Sequence, residues 1–344
     1  MPPPPSTPRR DEAFDLVFGR IAASLELVEH AMQEQLGSDA DLISVLGEHV
    51  LSSGGKRLRP ALLLQSAELC GYTGPRRIQI GAAIELLHTA TLLHDDVVDL
   101  ADLRRGRPSA NAIWGNRRAV LSGDFFYARA SSMVVEDGNT EIIEIFSSAI
   151  RRMAEGELLQ LQRSFDTTVT EAHYYDVIDR KSAALLSSAC EAGAILGGVT
   201  RGERRRVAAF GRELGLAFQL KDDALDYNTS ASVLGKTQYA DLREGKVTLP
   251  LLLTLKRATN AERERIAVVL KAMGRHGDEL SAQADLPDLV PIADLISRYH
   301  GITDTLRRAD DHVKRAGEAI AVFPDSPAKQ ALLAAAAFAV TRDR

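Results

Sequence analysis

The sequence predicts an all-α helical bundle, and three observations lead there. Apolar residues recur at three- and four-residue steps wherever a pattern can be read, and no segment combines a sustained period-two alternation with hairpin turns. Proline is the third: five of the 13 prolines lie in the first eight residues and none occurs between Pro108 and Pro250. Long helices tolerate that distribution, whereas turn-rich β folds recruit proline throughout.

Taken in order, residues 1–10 (MPPPPSTPRR) read as a flexible proline-rich tail and 11–344 as a single domain. A first helix is expected over 11–36, with Phe14, Val17, Phe18, Ile21, Leu25 and Val28 on its apolar side; Gly37-Ser38-Asp39 stops it and starts a second. Gly54-Gly55 breaks that second helix, and Pro60 fits the first turn of a third running to about Cys70. The fourth, about 76–99, carries Ile80, Ala83, Ile84, Leu87, Ala90 and Thr91 along one stripe. Further helices are expected at about 117–136, 139–163, 171–197, 201–227, 247–258, 292–320 and 327–342.

The chain has 344 residues, 45% hydrophobic and 26% charged, with 42 Lys plus Arg against 47 Asp plus Glu, a formal charge of −5. These are values of a globular protein, and the balance lacks the basic excess of a general nucleic-acid binder, so phosphate recognition must be local. Cys70 and Cys190 cannot staple a chain of this size, which points to a large core, buried free thiols and a reducing, cytoplasmic setting. The polar N-terminus has no signal-peptide h-region, and runs such as Gln330 to Val340 fall short of the roughly 18 to 20 apolar residues a span needs; a peripheral membrane contact stays open.

Two helix ends carry the chemistry. Helix four closes with HDDVVD (94–99) and the helix at 201–227 with KDDALD (221–226), each a DDxxD pentad. Residues four apart share a helix face, so Asp95 pairs with Asp99 and Asp222 with Asp226, while Asp96 and Asp223 lie to one side. One such pentad reads most simply as a solvated acidic face. Two are harder to explain that way. Carboxylates at a helix C-terminus oppose the macrodipole at about 0.3 to 1 kcal/mol each and also repel one another. Hard carboxylate oxygens without a zinc-type Cys/His cluster favour Mg²⁺, which takes one or two carboxylates and completes its shell with substrate phosphates and water. Lys56 and Arg59, Arg104 and Arg105, Lys181, and Lys236 lie in or beside linking segments; each alone is a solvated charge, but together they flank the acidic motifs as a phosphate site would. SSGGKRLRP is no P-loop, because it lacks the GxxxxGK[ST] spacing.

These residues resemble the all-trans polyprenyl diphosphate synthases, long-chain branch, from about Leu42 to Arg344. The strings that carry the resemblance are GGKRLRP, ELLHTATLLHDDVVD, DLRRGRPSAN, GDFFYARA, AEGELLQL, RKSAALL, AFQLKDDALDY, LGK, DLREGKVTLP and AVTRDR. The resemblance implies a single-domain helical bundle of the isoprenoid synthase type with a central apolar cavity. It also implies a homodimer and a cluster of three Mg²⁺ held on an allylic diphosphate by Asp95, Asp99 and Asp222, with Asp96, Asp223 and Asp226 acting through water or neighbouring ligands. Lys56, Arg59, His88 and Arg105 match the isopentenyl diphosphate site, with Arg344 a weaker candidate. Arg104, Lys181, Gln219 and Lys236 match the allylic diphosphate site, with Lys246 as a helper.

The implied reaction extends farnesyl or geranylgeranyl diphosphate with isopentenyl diphosphate to an octaprenyl-type product (C40, with C45 or C50 open) for quinone side chains. Ala90 and Thr91 lie one helical turn before the first pentad. From Ala90 back to Ile80 the stripe spans about 15 Å. Short-chain members place an aromatic near Ala90 or Thr91, so small residues here predict a long product; close helix packing is the other reading of Ala90. Leu87 continues the ruler, and Phe125, Phe126, Tyr127 and Met133 are candidates for its floor. Three departures stand out: LGKTQYA replaces LGKPxG, Leu100 follows DDVVD, and Lys221 sits beside the second pentad. His94 and Trp114 read as structural. A non-catalytic partner subunit would lose acidic motifs, a terpene cyclase would carry a different second metal motif, and a shorter-chain synthase remains the other alternative.

Overall fold

The structure, a computed structural model, describes residues 10–52, 55–227, 239–277 and 288–341, with side chains from residue 14 onward except 275–277. Its helices are α1 (Arg10–Phe18), α2 (Ala22–Glu34), α3 (Asp41–Ser52), α4 (Leu58–Leu69), α5 (Arg76–Val98), α6 (Ala110–Trp114), α7 (Asn116–Asp137), α8 (Thr140–Leu161), α9 (Glu171–Ile178), α10 (Ala184–Leu196), α11 (Arg201–Asp226), α12 (Ala240–Arg243), α13 (Leu249–Arg257), α14 (Asn260–Gly277), α15 (Val290–Arg298), α16 (Gly301–Ala319) and α17 (Pro327–Thr341). The tail through residue 9, Gly54, Lys236 with most of LGKTQYA, and Arg344 lie outside the described residues.

The helical class holds, and several expected helices are subdivided. The first is interrupted by a 3₁₀ turn, Gly19–Ile21, where glycine weakens helix propagation. The stretch expected at 171–197 contains a π-helical turn, Asp179–Ala183, between α9 and α10. Gly156 makes room for it, since a Cβ there would lie 2.8 Å from the Lys181 backbone nitrogen. The stretch expected at 292–320 is α15 and α16, separated at His300, whose φ of 58° ends a helix. Helix α14 was not expected, although Thr259-Asn-Ala-Glu262 is a capping box: Glu262 accepts from the Thr259 nitrogen at 2.9 Å, and its own N–H donates to Thr259 Oγ1 at 3.3 Å. The two short strands β1 (Leu103–Arg104) and β2 (Arg107–Pro108) were also unforeseen; they pair antiparallel, with Arg104 opposite Arg107.

The described chain divides into two compact units interleaved in sequence. Unit one comprises the chain up to Ile150, Leu185–Gly211 and Ala316–Phe338; unit two comprises Arg151–Ala184, Arg212–Arg315 and the chain from Ala339. In unit one α5 is the central helix, packed by α2, α4 and α7, and every residue from Ile80 to Leu87 is buried, Glu85 included. A helix enclosed on all sides must be apolar nearly all round, which accounts for its small and aliphatic residues. Unit two has its own core of Tyr174, Ile178, Leu216, Leu220, Leu252, Ile292 and Ile296. No described helix is long and apolar enough to cross a membrane.

Candidate active site

Unit one supplies an acidic helix end surrounded by cations. Asp95 and Asp99 are half-buried, and the Asp99 nitrogen donates to the Asp95 carbonyl at 2.8 Å, so the helical repeat that puts them on one face persists to the end of α5. The helix stops in a Schellman arrangement: Ala101 N–H donates to the Asp96 carbonyl at 2.9 Å and Leu100 occupies the left-handed position at φ 52°. Leucine, the residue noted as unusual after DDVVD, thus fills a slot that favours glycine or asparagine. Asp96 points inward, 3% exposed, and accepts from Arg104 Nε at 2.5 Å. Burial pushes its carboxyl up and Arg104 opposes that shift.

The β1–β2 hairpin presents the neighbouring arginines. Its two-residue turn is Arg105-Gly106, both at positive φ (52° and 76°), the geometry of a tight hairpin turn. Arg105 adopts it without being glycine, at a cost of order 1 kcal/mol. Its guanidinium lies against Gly55, where a Cβ would come within 2.9 Å of Nη1. Arg57, also left-handed at φ 47°, precedes α4 and donates to Glu29 (2.9 Å), Glu85 (3.3 Å) and the Leu51 carbonyl (2.9 Å). Arg59 and His88 complete the cluster. Burial, then Arg59, Arg105, Arg104 and Arg57 in turn, hold the His88 imidazole well below its usual range, so it is neutral. Arg59 and Arg105 are themselves drawn down, mainly by desolvation. Lys56 Nζ lies 4.6 Å from the Phe338 ring centroid in a cation–π contact. The four residues matched to an isopentenyl diphosphate site, Lys56, Arg59, His88 and Arg105, thus all belong to unit one, where Arg59, His88 and Arg105 share a cluster with Arg104.

Unit two supplies the second acidic helix end, and its surroundings are acidic. Asp222 and Asp226 are half-buried; Asp226 accepts the backbone N–H groups of Ala240 (3.1 Å) and Asp241 (3.3 Å) at the start of α12. Asp223 is 1% exposed and accepts from the Tyr174 hydroxyl and from Gln219 Nε2 at 2.8 Å. Burial, aided by Asp222 and Asp226, raises its carboxyl to about 7, and burial with Asp223 and Asp226 pushes Asp241 well up. Gln219 also accepts from Ser182 Oγ at 2.6 Å, which ties α11 to the π turn carrying Lys181. Lys181 donates to Gln160 at 2.9 Å and pairs with Glu157. Lys246 pairs with Glu244.

Several participants escaped sequence reasoning. Arg57 and Glu85 sit within the quoted strings GGKRLRP and ELLHTATLLHDDVVD but are given no role there. Tyr174 and Asp241 meet the second acidic end, and Gln160 meets Lys181, only through tertiary contacts. The residues expected to set chain length lie in unit one: Leu87, Ala90 and Phe126 are at most 1% exposed and Met133 is 5% exposed, while Thr91 is half-buried with its hydroxyl donating to the His88 carbonyl. Tyr127, also a floor candidate, is 40% exposed on α7. His94 lodges against Gly123, with Nε2 3.1 Å from the Val120 carbonyl, and Trp114 packs edge-on against His49 at 5.1 Å. Cys70 is half-buried rather than buried; both thiols are free and pushed up to about 12 by burial.

Among the described residues no three His, Cys, Asp or Glu side chains gather as an ion site on their own. The donor chemistry nevertheless fits magnesium. Each pentad offers two half-buried hard carboxylates one turn apart, which suits an ion that completes its shell with phosphate oxygens and water.

Comparison with known proteins agrees with this chemistry. Residues 40–285 match the polyprenyl synthetase family. The chain is 42% identical to octaprenyl diphosphate synthase of Escherichia coli over 318 residues, covering 92% of this chain and 95% of that protein. It is 36% identical to the geranyl-diphosphate-specific all-trans-nonaprenyl-diphosphate synthase of Rhodobacter capsulatus, over 92% of this chain and 94% of the other. The crystal structure of a Caulobacter crescentus polyprenyl synthase complexed with calcium and isoprenyl diphosphate superposes with a TM-score of 0.89 at 39% identity, covering 99% of this chain and 100% of that one. The chain belongs to the polyprenyl synthetase family of prenyltransferases.

Proposed function

We propose that this chain is a long-chain all-trans polyprenyl diphosphate synthase that joins isopentenyl diphosphate to farnesyl or geranylgeranyl diphosphate repeatedly, to about C40, as one catalytic domain over residues 11–344. The observation that carries the reading is the retention of both DDxxD pentads, together with the cluster of Arg57, Arg59, Arg104 and Arg105 about His88 in unit one. Asp95, Asp99 and Asp222 are assigned as ligands of a magnesium cluster, with Asp96, Asp223 and Asp226 supporting it. Lys56, Arg59, His88 and Arg105 are assigned to the isopentenyl diphosphate, and Arg104, Lys181, Gln219, Lys236 and Lys246 to the allylic diphosphate.

Magnesium, when bound, supplies positive charge on the diphosphate oxygens. In the proposed reaction the allylic carbon–oxygen bond breaks, its electron pair leaves with the diphosphate, and Arg104, Lys181 and Lys236 stabilise that charge where it develops. The isopentenyl double bond attacks the allylic cation, the new carbon–carbon bond forms, and a proton passes to the departing diphosphate. Water would quench the cation, so apolar residues such as Leu87, Ala90 and Phe126 are suited to shield the growing chain, with Thr91 at its head. Exposed Val120, Leu121 and Val135 on α7 support a homodimer through that face, and the absence of a described spanning helix is consistent with a cytoplasmic enzyme that touches membranes only peripherally to release product for quinone synthesis.

Incubation of the purified protein with Mg²⁺, farnesyl diphosphate and labelled isopentenyl diphosphate, followed by dephosphorylation and chromatography against polyprenol standards, tests the proposal. A C40 to C50 ladder end is expected. A C15 or C20 end product would overturn the long-chain assignment, and no product would overturn the catalytic one.

A further inference from the structure

A buried carboxylate in the basic cluster of unit one is left unexplained by the assignments above. Glu85 lies on α5 three residues before His88 and on the same side of the helix. It is 5% exposed in a run of otherwise apolar or small residues. Oε1 takes one long bond from Arg57 Nη1 at 3.3 Å. Oε2 and Arg59 Nε are both buried, and neither has a hydrogen-bond partner among the described residues. Nothing about core packing favours a half-satisfied carboxylate at that depth.

The cluster around it explains its presence. Arg57, Arg59, Arg104 and Arg105 gather with one another and with His88. Arg104 has Asp96 at 2.5 Å, and Glu29, half exposed, reaches Arg57 from outside. Arg59 and Arg105 have Glu85 as the carboxylate opposing their mutual repulsion. Resting on the reading of this cluster as the isopentenyl diphosphate site, we propose that Glu85 is a built-in counter-ion: it neutralises the arginines before the diphosphate arrives and competes with the diphosphate for them afterwards, which limits affinity and lets the group leave. Release matters for a sequential condensation. After each cycle the lengthened product carries the diphosphate that came in on isopentenyl diphosphate, and that group must quit the cluster before the next isopentenyl diphosphate can bind.

The proposal makes a prediction of opposite sign to a merely structural role. If Glu85 only braced Arg57, its loss would disorder the cluster and weaken binding. A counter-ion predicts tighter binding, because a unit negative charge near the anion is removed. Calorimetric titration of magnesium-free protein with isopentenyl diphosphate should show Glu85→Gln binding about tenfold more tightly than the unaltered protein, with a lower kcat for elongation and products shifted to shorter chains. Glu85→Asp, which keeps the charge but withdraws it by one methylene, should bind about twofold to threefold more tightly, and it serves as the readout if Glu85→Gln does not fold. Unchanged or weaker binding by the folded variants overturns the proposal while leaving the site assignment intact. Absence of binding by the unaltered protein overturns the site assignment and the counter-ion with it.

Discussion

The two pentads share the DDxxD pattern and the same helix-terminal position, yet the structure sets their middle aspartates in different electrostatic surroundings. At the end of α5 the buried middle aspartate, Asp96, is matched by the cation Arg104, and burial together with four nearby arginines holds the His88 imidazole well below its usual range. At the end of α11 the corresponding Asp223 accepts from two neutral donors, Tyr174 and Gln219, and burial, aided by Asp222 and Asp226, lifts its carboxyl to about 7. A sequence motif therefore fixes where carboxylates point along a helix, but what they cost and which charge they await depends on the chains packed around them.

The largest expected effect tests what the pentads share. Asp95→Ala and Asp222→Ala should each lower kcat about 10³-fold or more with the circular dichroism spectrum retained. Near-normal turnover by either variant would break the equivalence of the two ends. The next separates them. Asp96→Asn strands Arg104 beside a neutral amide and should cost about 2–3 kcal/mol in chemical denaturation. Asp223→Asn can still accept from Gln219 and donate to Tyr174, and it relieves repulsion from Asp222 and Asp226, so it should cost less than about 1 kcal/mol. Equal losses would show that the surroundings do not differ as described.

His88 gives a pH signature for the basic neighbourhood. Its folded pKa lies well below the unfolded value of 6.5, so below that value the unfolded chain binds the extra proton and stability falls as pH drops. Denaturation of the unaltered protein between pH 7.5 and 5.5 should show that loss, and His88→Gln should reduce it; an unaltered slope would place the imidazole outside the cluster's field. The smallest effect concerns the backbone at the first pentad. Leu100→Gly relieves the left-handed strain at φ 52° and should stabilise the protein by about 0.5–1 kcal/mol, read as a rise in Tm.

These contrasts also show which features were legible beforehand. The helical class and the pairing of Asp95 with Asp99 and of Asp222 with Asp226 follow from spacing, because a 3.6-residue repeat is a local property. The π turn at Lys181 was not legible, since it depends on Gly156 of another helix approaching within contact distance. The hairpin carrying Arg104 and Arg105 has two residues per strand, too few to show alternation. Tyr174 reaches Asp223 across 49 residues, and only packing brings them together. Glu85 was hidden for a further reason: in an apolar stripe a lone charge reads as the edge of the buried face, whereas here it is enclosed.

Both pentads are proposed to grip divalent ions through a bound diphosphate. Counting protein-bound Mn²⁺ by electron paramagnetic resonance, with and without a non-reactive thiolo analogue of farnesyl diphosphate, tests it most directly. Tight binding of Mn²⁺ is expected to require the analogue and to be lost in both Asp95→Ala and Asp222→Ala. Undiminished analogue-dependent Mn²⁺ binding in either variant would contradict it.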